Sequence, residues 1–356
     1  MTERAAGGRI PVAVLGATGS VGQRFVQLLE HHPWFRLAEV VASERSAGKT
    51  YGEAADWRLE SVMPAEAAAL TVKALGDELE SRLLFSGLDS SVAGEAEDMY
   101  ADRGCAVISN SRNHRMDPDV PLLIPEVNAD HLDSIEQQRK RRGSRGYIVT
   151  NPNCSVVGLA MALAPLERAF GIEGVHVTTM QAISGAGYAG VASYAILDNV
   201  VPYIGGGEEE KIETEPRKIL GGWSNGRFEE ATLKISPQVN RVPTIDGHLM
   251  TISAKLRRSA SLDEIRAALE SFTGEPQRLG LPTAPRRPLH YLDSDDRPQP
   301  RLDRDREGGM AVSVGRLRPC PLLDVRLVAL VHNTIRGAAG AAILNAELLE
   351  ARGLLA

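Results

Sequence analysis

The stretch from Ile10 to Leu29 restricts the possible fold more than any other part of the chain. An apolar run, Ile10-Pro11-Val12-Ala13-Val14-Leu15, meets Gly16-Ala17-Thr18-Gly19-Ser20-Val21-Gly22 and then a helical stripe of Val21, Phe25, Leu28 and Leu29. Strand, glycine loop and helix in that order are the context a dinucleotide fingerprint requires. Gly16 permits the tight turn, Gly19 lets the backbone approach a pyrophosphate, and Gly22 lets helix and strand pack closely. The helix N-terminus supplies free N–H groups to the anion. The spacing is G-x-x-G-x-x-G rather than G-x-G-x-x-G, so a glycine turn that only packs remains the competing reading.

The following strand, Leu37 to Ala42, favours binding. It ends in Ser43-Glu44-Arg45-Ser46-Ala47-Gly48-Lys49, about twenty residues past the last glycine, where an adenine ribose is read. Glu44 argues for NAD, whereas Ser43, Arg45, Ser46 and Lys49 suit a 2′-phosphate; several donors against one carboxylate favour NADP. Short apolar runs at Leu83-Leu84-Phe85 and Ala106-Val107-Ile108 alternate with a helix-compatible stretch, Ser91 to Ala101. The pattern predicts an α/β fold with a Rossmann-type, doubly wound parallel sheet. Ser86-Gly87-Leu88 closes one strand on the ligand edge. Ser109 to Met116 forms a polar loop at the end of another, and its Arg112, His114 and Arg115 make an anion site in which either Arg can point inward.

Composition narrows the partners. The 356 residues are 43% hydrophobic and 24% charged, enough for two domains with proper cores. Cys105, Cys154 and Cys320 are too few and too scattered for a disulfide framework. The absence of a C-x-x-C pair gives no reason to expect a metal, and a reducing cytoplasm fits. Met1 to Arg9 lacks the order of a signal peptide, and no segment approaches the ~20 apolar residues that span a membrane. A net charge of −6 does not suggest nucleic acid. The basic cluster Arg139-Lys140-Arg141-Arg142 with Arg145 suits the C-terminal end of a helix dipole.

A second constrained stretch is Tyr147-Ile148-Val149-Thr150-Asn151-Pro152-Asn153-Cys154-Ser155. An apolar strand meets a turn of Asn151, Pro152 and Asn153, and a helical pattern follows at Val156, Leu159, Leu163 and Leu166. Cys154 is therefore expected at a helix N-terminus, whose free N–H groups and partial positive charge lower a thiol's pKa and stabilise a neighbouring oxyanion. A nucleophilic thiolate fits there, and so does a small buried hydrophobe.

Beyond it, Val175 to Gln181 alternates as a half-buried strand with Val175, Val177, Thr179 and Gln181 on one face, ahead of a flexible turn, Ser184-Gly185-Ala186-Gly187-Tyr188. Gln181 is placed either to orient a bound carbonyl or as an ordinary strand-end amide. Gly205 to Glu213 reads as a loop opening an acidic helix N-terminus with mostly solvated carboxylates. Arg241-Val242-Pro243-Thr244-Ile245-Asp246-Gly247-His248 brings an Arg and a His together on one irregular segment before a strand, Leu249 to Leu256. A helix over Leu262 to Phe272, strands over Met310 to Leu317 and Leu322 to Val331, and an exposed arm over Asp293 to Asp305 are expected. A small-residue helix begins near His332 and suits close packing on the cofactor domain.

These motifs, in this order, resemble the aspartate-semialdehyde dehydrogenase family from about Ile10 to Leu349. They are GATGSVG (Gly16 to Gly22), NHRM (Asn113 to Met116), NPNCS (Asn151 to Ser155) and QAISGAG (Gln181 to Gly187), then EEEKIE (Glu208 to Glu213), RVPTIDGH (Arg241 to His248) and NTIRGAAG (Asn333 to Gly340). The resemblance implies NADPH-dependent reduction of 4-phospho-L-aspartate to L-aspartate 4-semialdehyde, in biosynthesis of lysine, threonine, methionine and isoleucine. It implies Cys154 as nucleophile, His248 as acid and base, and Gln181 orienting the acyl group. Arg241 would grip the substrate carboxylate, Glu208 its ammonium, and Arg115 with Lys211 the phosphate. NADP would contact Gly16, Thr18, Gly19, Ser20, Val21, Ser43, Arg45, Ser46, Ser86, Gly187 and Asn333. A Rossmann domain over residues 1–150, rejoined by a C-terminal helix over 334–356, and a catalytic and dimerisation domain over 151–333 follow, with a homodimer or homotetramer as the assembly. Malonyl-CoA reductases resemble the same family and form the alternative; a cysteine hydrolase and a catalytically dead dinucleotide-binding regulator are more distant ones.

Overall fold

The structure, a computed structural model, describes residues 8–355. Met1 to Gly7, which were read for a targeting signal, lie outside the described residues, as does Ala356. The first sheet contains β1 (Ile10–Leu15), β2 (Phe35–Ala42), β3 (Val72–Ala74), β4 (Leu83–Ser86), β5 (Ala106–Ser109) and β6 (Tyr147–Thr150). Its order is β3-β2-β1-β4-β5-β6 and every pairing is parallel. The order reverses between β1 and β4, which opens a crevice at their carboxyl ends.

Residue alternation along these strands feeds two cores. Val12 and Val14 face the helix Ser20–Leu29 through Phe25, Val26 and Leu29. Ala13 and Leu15 face the opposite side, with Tyr100 and Ala101 of the helix Ser90–Asp102. Burial on both sides explains the continuously apolar strands. The first of these cores also takes in Ile343, Leu344 and Leu348 of the last helix, Gly340–Ala351, which follows the second sheet in sequence yet packs on the first.

The second sheet draws on β7 (Ile172–Gln181), β10 (Lys234–Arg241), β11 (His248–Leu256), β12 (Leu289–Leu292), β13 (Val312–Pro319) and β14 (Val325–Val331). Its order is β10-β7-β11-β14-β13-β12. Strands β8 (Gly222–Ser224) and β9 (Arg227–Glu229) form a separate hairpin. The helix Cys154–Phe170 leaves the end of β6 and lies on this second sheet, where Val156, Leu159 and Leu163 share a core with Val177, Met250 and Ala329. Cys154 thus stands where the chain passes from one sheet to the other.

Several elements differ from expectation. Strands β3 and β12 are too short to show an alternation, and β10 contains Pro237, which argues against a strand; at a sheet edge the missing N–H faces no partner. The Asp293 to Asp305 arm is not simply exposed. It includes the helix Pro300–Asp303, and the Asp303 carboxylate is buried between the guanidinium groups of Arg297 and Arg306. The flexible turn after Gln181 is a short 3-10 helix, Ile183–Ala186, and the final helix opens with a π-turn, Ile335–Ala339. Among the described residues no helix is long and apolar enough to cross a membrane.

Candidate active site

Strand register assembles the site. Parallel pairing of β10 with β7 sets Arg241 beside Gln181, and antiparallel pairing of β11 with β7 sets Leu249 against Met180, so His248 opens β11 at the same sheet end. The N-terminus of the helix Cys154–Phe170 faces this end. Cys154 Sγ lies 3.2 Å from His248 Nε2.

The Asn153 side chain caps that helix, its Oδ1 accepting from the backbone N–H groups of Ser155 (2.9 Å) and Val156 (3.3 Å). Asn153 Nδ2 donates to Glu208 Oε1 at 2.9 Å, and the Asn153 backbone N–H donates to Glu215 Oε2 at 2.7 Å. The residue before the sulfur is therefore held on three sides.

His248 is fully buried, and its Nδ1 accepts from the Ala182 N–H at 3.0 Å. In the neutral ring that bond leaves the proton on Nε2, facing the sulfur. Burial, with the Arg241 charge adding to it, depresses the imidazole pKa to about 3. A neutral Nε2–H donor beside the thiol is the resting arrangement.

The thiol itself differs from expectation. Cys154 does stand at a helix N-terminus and keeps some accessible surface, but burial first and Glu208 second push its pKa up to about 12. Lys211, Arg115 and Arg241 pull the other way without offsetting this. The desolvation cost of a thiolate there outweighs the helix terminus. Alkylation of Cys154 in ligand-free protein, followed by peptide mass, is thus expected to rise about tenfold per pH unit from 7 to 9. A plateau below pH 8 would contradict the raised pKa.

The charged groups form one cluster. Glu208, buried at the start of the helix Glu208–Ile219, accepts from Gln181 Nε2 at 3.0 Å and pairs with Lys211 Nζ at 2.7 Å. Burial opposes its ionisation, but Lys211, Asn153 and Gln181 together hold its carboxyl below the usual range. It is not one of the solvated glutamates; Glu209, Glu210 and Glu213 are exposed. Arg241 is buried and donates to the Ala182 carbonyl at 2.7 Å. Arg115 is also buried, whereas Arg112 is exposed and donates to the Gly206 carbonyl; both line the crevice. Lys218 Nζ fastens the loop that carries Arg115 by donating to the carbonyls of Arg115, Asp117 and Val120, each at 2.8 Å.

The crevice has a volume of about 1000 Å³. Gly16, Thr18, Gly19, Ser20 and Val21 line one wall, Ser43 and Glu44 stand at one end, and Gly187 and Asn333 approach from the second sheet's side with Cys154. Gly16 has φ +74°, and a Cβ there would sit 2.8 Å from the Gly87 carbonyl oxygen; one on Gly22 would sit 2.2 Å from that of Gly16. Only glycine fits both places, so the loop closes tightly on the helix and leaves its N-terminal amides open to the crevice, a cradle that fits a dinucleotide pyrophosphate. Arg45 and Ser46 lie in the turn just beyond the lining residues. Ser86 does not form part of the wall: it is fully buried, and its Oγ donates to Glu97 at 2.6 Å.

Some participants were not singled out in the sequence. A Cβ on Gly337 would lie 2.8 Å from the Cys154 Cβ, and one on Gly185 would lie 2.9 Å from Arg241 Nη1 and 3.3 Å from His248 Cε1. Both read as generic small residues, although their positions inside the quoted motifs were a signal. Glu215 was hidden in an acidic helix. Among the described residues no group of three or more His, Cys, Asp or Glu could hold a metal ion.

A glycine loop at the switch point of a parallel sheet, sharing one crevice with a Cys–His pair, has the layout of a dinucleotide-dependent dehydrogenase that works through sulfur. Two family models match accordingly: semialdehyde dehydrogenase, NAD binding domain, over residues 11–135, and semialdehyde dehydrogenase, dimerisation domain, over residues 163–336. The aspartate-semialdehyde dehydrogenase of Methanothermobacter thermautotrophicus is 50% identical over 347 residues, covering 96% of this chain and 99% of the relative. That of Schizosaccharomyces pombe is 50% identical over 353 residues, covering 97% and 99%. A crystal structure of the Candida albicans aspartate semialdehyde dehydrogenase with NADP superposes with a TM-score of 0.90 at 45% identity, covering 97% of this chain and 99% of that one. The chain belongs to the aspartate-semialdehyde dehydrogenase family.

Proposed function

We propose that this chain catalyses the NADPH-dependent reduction of 4-phospho-L-aspartate to L-aspartate 4-semialdehyde with release of phosphate, in amino-acid biosynthesis. The observation that carries this reading is the 3.2 Å Sγ to Nε2 contact at the floor of a crevice lined by the glycine loop. Gly16, Thr18, Gly19, Ser20, Val21, Ser43, Gly187 and Asn333 would hold the nucleotide, with Arg45 and Ser46 near its 2′-phosphate. When bound, NADPH supplies the two electrons that reduce the acyl group.

Cys154 attacks the acyl carbon, the bond from that carbon to the phosphate oxygen breaks, and a thioester forms on the sulfur. Arg115 and Lys211 receive the departing phosphate, and Arg241 holds the substrate carboxylate. Glu208 holds the substrate ammonium. By offsetting Glu208, that ammonium removes the second of the influences keeping the thiol protonated, burial being the first, and the thiol proton passes to water as the carbon–sulfur bond forms. Gln181 orients the acyl oxygen, and His248 shares its Nε2 proton with that oxygen while the acyl carbon is reduced, recovering it as the carbon–sulfur bond breaks to release the aldehyde and the Cys154 thiolate. We further assign residues 1–150 with 334–356 to the cofactor domain and 151–333 to the catalytic and dimerisation domain, in a cytoplasmic homodimer or homotetramer.

The deciding assay compares NADP reduction with L-aspartate 4-semialdehyde and phosphate against NADPH oxidation with malonyl-CoA. Turnover in the first and none in the second is expected; the reverse would overturn the reading in favour of the malonyl-CoA reductase alternative. That alternative is not favoured by relatives 50% identical over the chain that are aspartate-semialdehyde dehydrogenases. Arg241→Lys is expected to raise the semialdehyde KM about 10- to 100-fold with NADP affinity unchanged, because one ammonium cannot reproduce a bidentate fork. Equal loss of both affinities would contradict the carboxylate role.

A further inference from the structure

One buried carboxylate without a role in the proposed reaction, Glu215, touches both the anion-binding loop and the peptide before Cys154. Glu215 lies on the same helix as Glu208 and Lys211, and the 3.6-residue repeat puts the three on one face. It is 2% exposed. Its Oε1 accepts from Arg115 Nη1 at 2.8 Å, and its Oε2 accepts from the Asn153 backbone N–H at 2.7 Å.

We propose that Glu215 is a positioning residue that sets the anion-binding guanidinium and the peptide preceding Cys154 in a fixed relation to one another. The inference rests on the phosphate role assigned to Arg115. A carboxylate serving stability alone would gain most by gripping the guanidinium with both oxygens. Here the second oxygen is turned to the backbone of Asn153, which trades pair strength for coupling. Arg115 is held on its other side by the Asn110 carbonyl at 2.7 Å, and its Nε is buried with no partner, so the fork is oriented while donors remain for an incoming anion. Asn153 caps the helix and contacts Glu208 through its side chain, and Glu215 takes its backbone N–H. The distance from leaving-group site to nucleophile is thereby set through one side chain, and a displacement of about 1 Å in such geometry can cost on the order of 100-fold in rate.

The test is Glu215→Gln, an isostere, alongside Glu215→Asp, which keeps the charge but is one methylene too short to reach both partners. The amide would place a donor against either the Arg115 or the Asn153 donor. We expect kcat for NADP reduction to fall roughly 20- to 100-fold in both variants, with the phosphate KM changed by less than about threefold and NADP affinity close to wild type, while the thermal midpoint falls in the Gln variant because a buried ion pair is broken. The rate of Cys154 alkylation at fixed pH should shift in both. Restoration of kcat by the Asp variant would reduce the role to charge balance and overturn the proposal. So would kcat within threefold of wild type in the Gln variant, or loss of kcat and NADP affinity together in both variants. If wild type itself lacks phosphate-dependent turnover, the assigned function fails instead, and unchanged alkylation in the variants then overturns the coupling independently.

Discussion

Cys154→Ala is expected to lower turnover by at least about 10⁴-fold while NADPH affinity stays within about threefold of wild type. Removing a nucleophile that forms the covalent intermediate costs on the order of 10⁶ in enzymes where other binding elements survive. Those elements do survive here, because the glycine loop is built from β1 and the helix Ser20–Leu29, and neither depends on the sulfur for its conformation. Alanine is smaller than cysteine, so the close approach of Gly337 to residue 154 is relieved rather than strained. The measurements are NADP reduction with semialdehyde and phosphate, and NADPH binding by fluorescence titration. Residual turnover above about 1% of wild type would remove the thioester from the mechanism.

His248→Ala is expected to cost about 10³-fold in kcat, at the middle of the range for a positioned acid or base. The ring is the group within hydrogen-bonding distance of the sulfur, and its tautomer is set by the Ala182 N–H. His248→Gln retains an N–H donor but not a ring nitrogen that accepts from Ala182, so it should recover only part of the loss. An alanine variant within tenfold of wild type would show that the imidazole is a spectator. Such a result would leave the cysteine chemistry intact, since the two variants probe different steps.

The legibility of this chain varied with how local the responsible forces were. Gly16 and Gly22 were readable because the positive φ of Gly16 and the close approach of Gly22 to the Gly16 carbonyl arise within seven residues, whereas the approach of Gly87 to Gly16 was not visible. The position of Cys154 was readable because Pro152 and Asn153 end a strand and cap a helix within three residues. Its protonation state was misjudged, because the helix terminus is visible in sequence while the burial that outweighs it is not. Strand β10 was missed since Pro237 signals a break, and only the sheet order shows an edge that tolerates it. Arg112 and Arg115 were indistinguishable in sequence; Lys218 and Glu215, a hundred residues or more away in the chain, fasten Arg115 in a buried position while Arg112 stays exposed.

Residue order alone was sufficient for the doubly wound first sheet, the dinucleotide loop and the family motifs, because alternation, turn chemistry and helix capping are settled among near neighbours. The candidate site was decided by the register of β7, β10 and β11, which brings Gln181, Arg241 and His248 to one sheet end and sets His248 against a sulfur carried by a different element. Pairing register and burial are sums over distant parts of the chain, so tautomer, thiol pKa and the Glu215 bridge emerge only once those parts have packed.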